Sequence, residues 1–277
     1  MFRVALLALA GALAFTPASP AQTQSKMFRW ETGQLLTYRV EHTTSAAETV
    51  SGTKSETKTK LNLTKRWYVA AVDPAGVATI QLSLAALRLE TTTPSGGVLL
   101  FDSSDPEKSD PQMSGQLKKY VGDVLATLRV DGQGKVIEVK ESKHGPASRF
   151  ESEPPFVLVF PDAALTEGMN WSRSYKITIE PPQGTGEKYD AVQECTCKSV
   201  AQGSATFALT TTLKTQPESV LDRVPLLQLQ PEGEVTFDVQ SGRLQSAILR
   251  VDKELTGHQG EGSSYHFVST YKEEIQP

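Results

Sequence analysis

From Thr53 to Ala71 the side chains alternate with a period of two. Thr53, Ser55, Thr57, Thr59, Leu61, Leu63, Trp67, Val69 and Ala71 take one side, and Lys54, Glu56, Lys58, Lys60 and Asn62 the other. A helix would scatter both sets around its circumference, whereas extended backbone separates them, so the segment reads as one half-exposed antiparallel strand. At roughly 18 residues and about 3.3 Å each it exceeds the usual strand, and a strand of that length has to twist or bend. The fold is therefore built around long, curved, amphipathic strands. The dense basic stretch Lys54 to Arg66 falls inside this pattern and reads as the solvated face of the strand.

Further extended segments follow on the same logic. Asp73-Pro74-Ala75-Gly76 is a turn, with Pro presetting φ and Gly free to take the left-handed conformation that closes the loop. The return strand carries Ile80, Leu82 and Leu84, then changes phase to Leu87 and Leu89, which predicts a bulge near Ala85-Ala86. Asp110-Pro111 is a helix start, and Met113, Leu117, Tyr120, Val121 and Val124 follow at helical spacing. A hairpin turning at Asp131 to Gly134 joins Leu128 and Val130 to Val136 through Val139.

The second half repeats this order with shorter loops. Gly33, three residues before Leu36, is echoed by Gly168, three residues before Trp171. A long strand from Tyr189 to Val200 turns at Gln202-Gly203 and returns through Phe207, Leu209 and Leu213. A later hairpin turns at Ser241-Gly242, and a last strand carries Tyr265, Phe267 and Tyr271. The reading is all-β with minor α: two related, strongly curved antiparallel sheets, half-barrel or clam-like, arising by tandem duplication. Its boundaries are 22–145 for the first repeat, 146–166 for a connector and 167–277 for the second.

The N-terminus predicts export. Arg3 precedes twelve residues, Val4 to Phe15, without a charged or polar side chain. Such a run is too short to span a bilayer, and Ser19 and Ala21 supply the small residues a signal peptidase accepts, so residues 1–21 read as a cleavable signal. No later segment is long and apolar enough to form a membrane-spanning helix. Cleavage removes Arg3 alone and moves the net charge from −4 to −5, with 27 basic against 32 acidic side chains. A mildly acidic chain whose one dense basic stretch, Lys54 to Arg66, is interrupted by Glu56 has no electrostatic reason to bind nucleic acid. The expected location is periplasmic or extracellular.

Candidate chemistry is sparse. Cys195 and Cys197 are two apart on a strand, so both thiols share a face. That fits either a strained disulfide or a pair of small buried hydrophobes, and alignment of the Gly203 turn with the Gly76 turn sets them opposite Trp67 and Val69, inferred core positions. His42, His144, His258 and His266 are scattered, with His258 and His266 able to approach across the final hairpin, and no metal-ligand spacing accompanies them. No GxSxG elbow and no phosphate-binding loop is present. No catalytic residue, metal ligand or cofactor is assigned, and the balance leans away from an enzyme.

Phe156-Val157-Leu158-Val159-Phe160-Pro161-Asp162, followed by Thr166-Glu167-Gly168-Met169-Asn170-Trp171-Ser172, resembles a family of secreted, mostly bacterial proteins of unknown function. That family also shares the Asp73 to Ile80 strand, Phe101-Asp102-Ser103 and the Asp131 to Val136 hairpin. The resemblance implies no catalytic residue and no cofactor, and Gly33, Gly168 and Trp171 serve it as structural motif positions. The functional expectation is an exported, non-enzymatic binding or interaction protein whose curved sheet holds an apolar ligand or an envelope protein's segment, as half-barrel lipoprotein carriers do at the level of fold. The alternatives are a cell-envelope hydrolase and a structural component of the cell surface.

Overall fold

The computed structural model describes residues 27–145, 147–179 and 184–277. The expected signal, residues 1–21, lies outside the described residues. Among these described residues twelve strands form one antiparallel sheet: β1 (Leu35–Val50), β2 (Thr53–Val72), β3 (Ala78–Thr92), β4 (Val98–Asp102), β5 (Val124–Val130), β6 (Val136–Ser142), β7 (Asn170–Ile179), β8 (Glu187–Ala201), β9 (Ser204–Leu213), β10 (Glu232–Asp238), β11 (Arg243–Thr256) and β12 (Ser264–Ile275). The strand order is β6-β5-β3-β2-β1-β12-β11-β10-β9-β8-β7, with β4 paired to β3, and the sheet is not closed.

The all-β reading with minor helix holds, but the expectation of two separate sheets is corrected. β1 and β12 pair from Tyr38↔Ile275 to Thr49↔Ser264, so the two halves share a continuous hydrogen-bond ladder. The physical reason is edge protection. Each strand would otherwise present a row of unpaired backbone groups, and pairing them with each other satisfies both.

Local features follow the sequence closely. β2 spans 20 residues, Thr53 to Val72. The register of β2 on β3 slips between Thr64↔Ala86 and Lys65↔Leu84, leaving Ala85 as the extra residue of the expected bulge. Asp110 caps α1 (Pro111–Leu117), its carboxylate accepting from the backbone N–H groups of Gln112 and Met113. The helix stops at Leu117, continues as a 3-10 turn over Lys118–Tyr120, and Val124 already begins β5, so the helical spacing overran the helix by two turns.

The entries to β1 and β7 carry matching hydrogen bonds. Gly33 N–H donates to Val69 O at 2.8 Å and Val69 N–H to Gln34 O at 2.9 Å; Gly168 N–H donates to Cys197 O and Cys197 N–H to Met169 O at the same two distances. Gly33 (φ +86°) and Gly168 (φ +80°) both need the left-handed conformation that glycine tolerates. Leu36 pairs with Trp67 as Trp171 pairs with Cys195, and the bulge after Val69 recurs after Cys197.

One apolar cluster joins β1, β2, β3, β5, β8, β9, β10 and β11, so the inward faces of both halves meet. The segment between β6 and β7 enters that cluster with Phe150, Phe156, Val157, Leu158 and Phe160, and Met27 and Phe28 join from the N-terminal side. Trp67 meets Phe156 edge-on at 5.0 Å, and Phe160 meets Phe237 at 4.8 Å and Phe207 at 5.5 Å. Trp171 Nε1 donates to Val159 O at 2.9 Å, and Arg173 donates to the carbonyls of Glu151 and Val157, which fastens the connector to β7. The connector therefore fills one end of the concave face.

Candidate ligand groove

Beyond the connector the long strands extend past the plugged end, and each flank carries its own cover. On one side Leu84, Leu87, Phe101 and Leu125 pack with Met113 and Leu117 of α1. On the other, Tyr175, Ile177, Ile179 and Ala191 pack with Leu226 of α2 (Val224–Leu227). Between the two covers lies a groove of about 340 Å³, within the usual range for small-molecule sites. Leu61, Ile177, Leu229, Leu249, Val251 and Tyr271 form its apolar wall, while Ser152, Glu153 and Pro154 of the connector line it together with His42 and Ser269.

The cross-strand register explains this lining. His42 sits opposite Leu61 on β2 and opposite Tyr271 on β12, and Tyr271 sits opposite Leu249 on β11, so four inward side chains fall in one row. The His42 and Tyr271 rings meet edge-on at 5.6 Å. Burial lowers the His42 pKa and keeps the ring neutral at physiological pH.

Beside this row is a buried ionic network. Lys65 is 4% exposed and Glu273 1% exposed. Lys65 Nζ donates to Glu273 Oε2 at 2.8 Å, to Pro154 O at 2.9 Å and to the Tyr271 hydroxyl at 3.3 Å, and the Tyr271 hydroxyl donates in turn to Glu273. Glu273 Oε1 has no hydrogen-bond partner. Burial pushes the Glu273 carboxyl up, against the opposing pull of Lys65 and Tyr271, and Glu153 nearby adds to the rise. Tyr271 is pushed well above the ordinary phenol range by burial, then by the charge of Glu273.

The reading of Lys54 to Arg66 as a solvated face is corrected at Lys65. This residue keeps the inward phase of Leu63 and Trp67, and the sheet buries it because Glu273, brought alongside by β12, supplies the counter-charge. The signal was present in the sequence: a single Lys on the apolar side of the alternation, and a single Glu in phase with Tyr265, Phe267 and Tyr271.

Other singled-out residues lie elsewhere. Cys195 and Cys197 carry free thiols buried in the main core, away from the groove lining. Burial pushes the Cys195 thiol up to about 11, which suppresses its thiolate at neutral pH. His258 pairs with Glu48 at 2.8 Å and His266 with Asp252 at 2.7 Å, so the final hairpin does not bring the two histidines together. Among the described residues no group of three His, Cys, Asp or Glu side chains is placed to hold a metal ion, and no serine is hydrogen-bonded to a histidine ring nitrogen. Among the described residues no helix is long and apolar enough to cross a membrane.

No protein-family model matches the chain, and no curated protein sequence does. Among solved structures, DynF from the dynemicin biosynthesis pathway of Micromonospora chersina aligns over 95% of each chain at 7% identity, with a TM-score of 0.21. MucB in complex with MucA(peri) aligns over 86% of this chain and 89% of its own, at 9% identity and a TM-score of 0.14. The MucA/MucB complex of Pseudomonas aeruginosa aligns over 91% of both, at 9% identity and a TM-score of 0.13. These scores are too low to define a shared fold.

Proposed function

We propose that this is an exported, non-enzymatic binding protein that holds a small apolar ligand in the groove beyond its connector. The observation that carries the reading is the groove itself: an apolar row across β2, β1, β12 and β11, framed by two separate covers and left unfilled between them. Leu61 and Tyr271 of that row are only partly buried, and apolar area left exposed costs about 25 cal/mol per Å². The predicted signal supports export, and the resemblance to secreted bacterial proteins of unknown function belongs to the same reading. So does tandem duplication, which the matched hydrogen bonds at Gly33 and Gly168 support.

The test is binding of a solvatochromic apolar dye, together with native mass spectrometry of gently purified protein. Leu61→Trp adds bulk to the groove wall at a partly buried position, and is expected to abolish dye uptake while leaving the circular dichroism spectrum unchanged. A ligand-free native mass with no dye uptake by the unaltered protein would count against the proposal.

A further inference from the structure

Resting on that reading, we infer that the groove takes an apolar chain ending in an uncharged hydrogen-bond donor, such as a hydroxyl or an amide N–H, and discriminates against an anionic head group through Glu153. Among the described residues the groove lining has one acidic side chain, Glu153, and, besides His42, one basic residue, Arg250. Arg250 lies between Leu249 and Val251, which both face inward and are buried, so the period of the strand sends its guanidinium to the opposite face.

The adjacent cation is already engaged. Lys65 has three N–H donors, and its three acceptors are Pro154 O, the Tyr271 hydroxyl and Glu273. Arg149, which pairs with Glu153 at 3.6 Å, stays out of the lining and stacks over the Phe150 ring at 4.6 Å. His42 is neutral and supplies no positive charge.

The acceptors, by contrast, have capacity to spare. Ser152 Oγ donates its hydrogen to Arg149 O and keeps its lone pairs, and Glu153 is an acceptor with only one long ionic contact. A carboxylate head would meet Glu153, whose partner cation Arg149 lies 3.6 Å from it and outside the lining, whereas a hydroxyl would donate to Glu153. The difference between a charge-assisted hydrogen bond and like-charge repulsion amounts to about tenfold or more in affinity.

Isothermal titration at neutral pH with monolauroylglycerol and with laurate, which share one acyl chain and differ in head group, tests this. Monolauroylglycerol is expected to bind about tenfold or more tighter than laurate. Glu153→Gln, at a partly exposed position, should strengthen laurate binding and narrow the gap. Equal or tighter binding of laurate by the unaltered protein would overturn the head-group inference and leave the groove reading standing. A gap unchanged in Glu153→Gln would overturn the assignment to Glu153. Binding of neither probe would overturn both this inference and the groove reading.

Discussion

At the scale of single residues, Lys65 and Glu273 form a buried ion pair at 2.8 Å. Two ions removed from water cost several kcal/mol each, and their mutual attraction offsets this only when the remaining hydrogen bonds are made. Lys65 meets that condition, while Glu273 leaves one oxygen unpartnered. Lys65→Met should therefore destabilise the protein by about 3 kcal/mol or more, read as a lower urea midpoint at unchanged slope. Adding Glu273→Leu should recover most of the loss, because the stranded carboxyl is then gone. The raised pKa of Glu273 has a signed consequence. The folded state keeps this proton where the unfolded chain has released it, so stability declines as pH rises from the ordinary carboxylate range through the raised value. Denaturation midpoints collected across that window should lose this slope in Glu273→Gln. Both residues were legible as anomalies, each a charge on the apolar phase of its strand. Their partnership was not, because 208 residues separate them.

At the scale of elements, the alternation, the Ala85 bulge and the Asp110 cap were legible because each rests on contacts within a few residues or on one neighbouring strand. The connector was legible as a motif but not as a plug. Its sequence, an apolar run ending in Phe160-Pro161, does not state which surface it meets, and the structure shows it threaded against Trp67, Phe207 and Phe237. Phe156 is fully buried there, so Phe156→Ala should cost about 3–5 kcal/mol in a urea titration. The overrun of α1 has a similar cause. Tyr120 and Val121 belong to the same small core as Leu117, and a 3-10 turn followed by extended chain satisfies that packing as well as a longer helix would.

At the scale of the whole molecule, the decisive contact is β1 on β12. It merges two curved units into one sheet, and it brings Glu273 to Lys65 and Tyr271 to His42. Ending the chain before Ser264 would expose both β1 and β11 and leave Lys65 buried without its counter-charge. Such a truncated chain should lose its near-ultraviolet circular dichroism and its cooperative thermal transition; a retained sharp transition would show that the halves fold without the joint.

By itself the sequence determined that the chain is extended, antiparallel and amphipathic, and where its main turns and one bulge fall. These features follow from side-chain periodicity and turn stereochemistry, which act over short stretches of backbone. Only the tertiary structure decided that the halves share one sheet, that the connector closes one end of the concave face, and that a groove with a buried ionic neighbour is left at the other. Those outcomes depend on pairing between strands far apart in the chain, and on which of several apolar surfaces excludes water best, choices made by the assembled molecule rather than by any local run of residues.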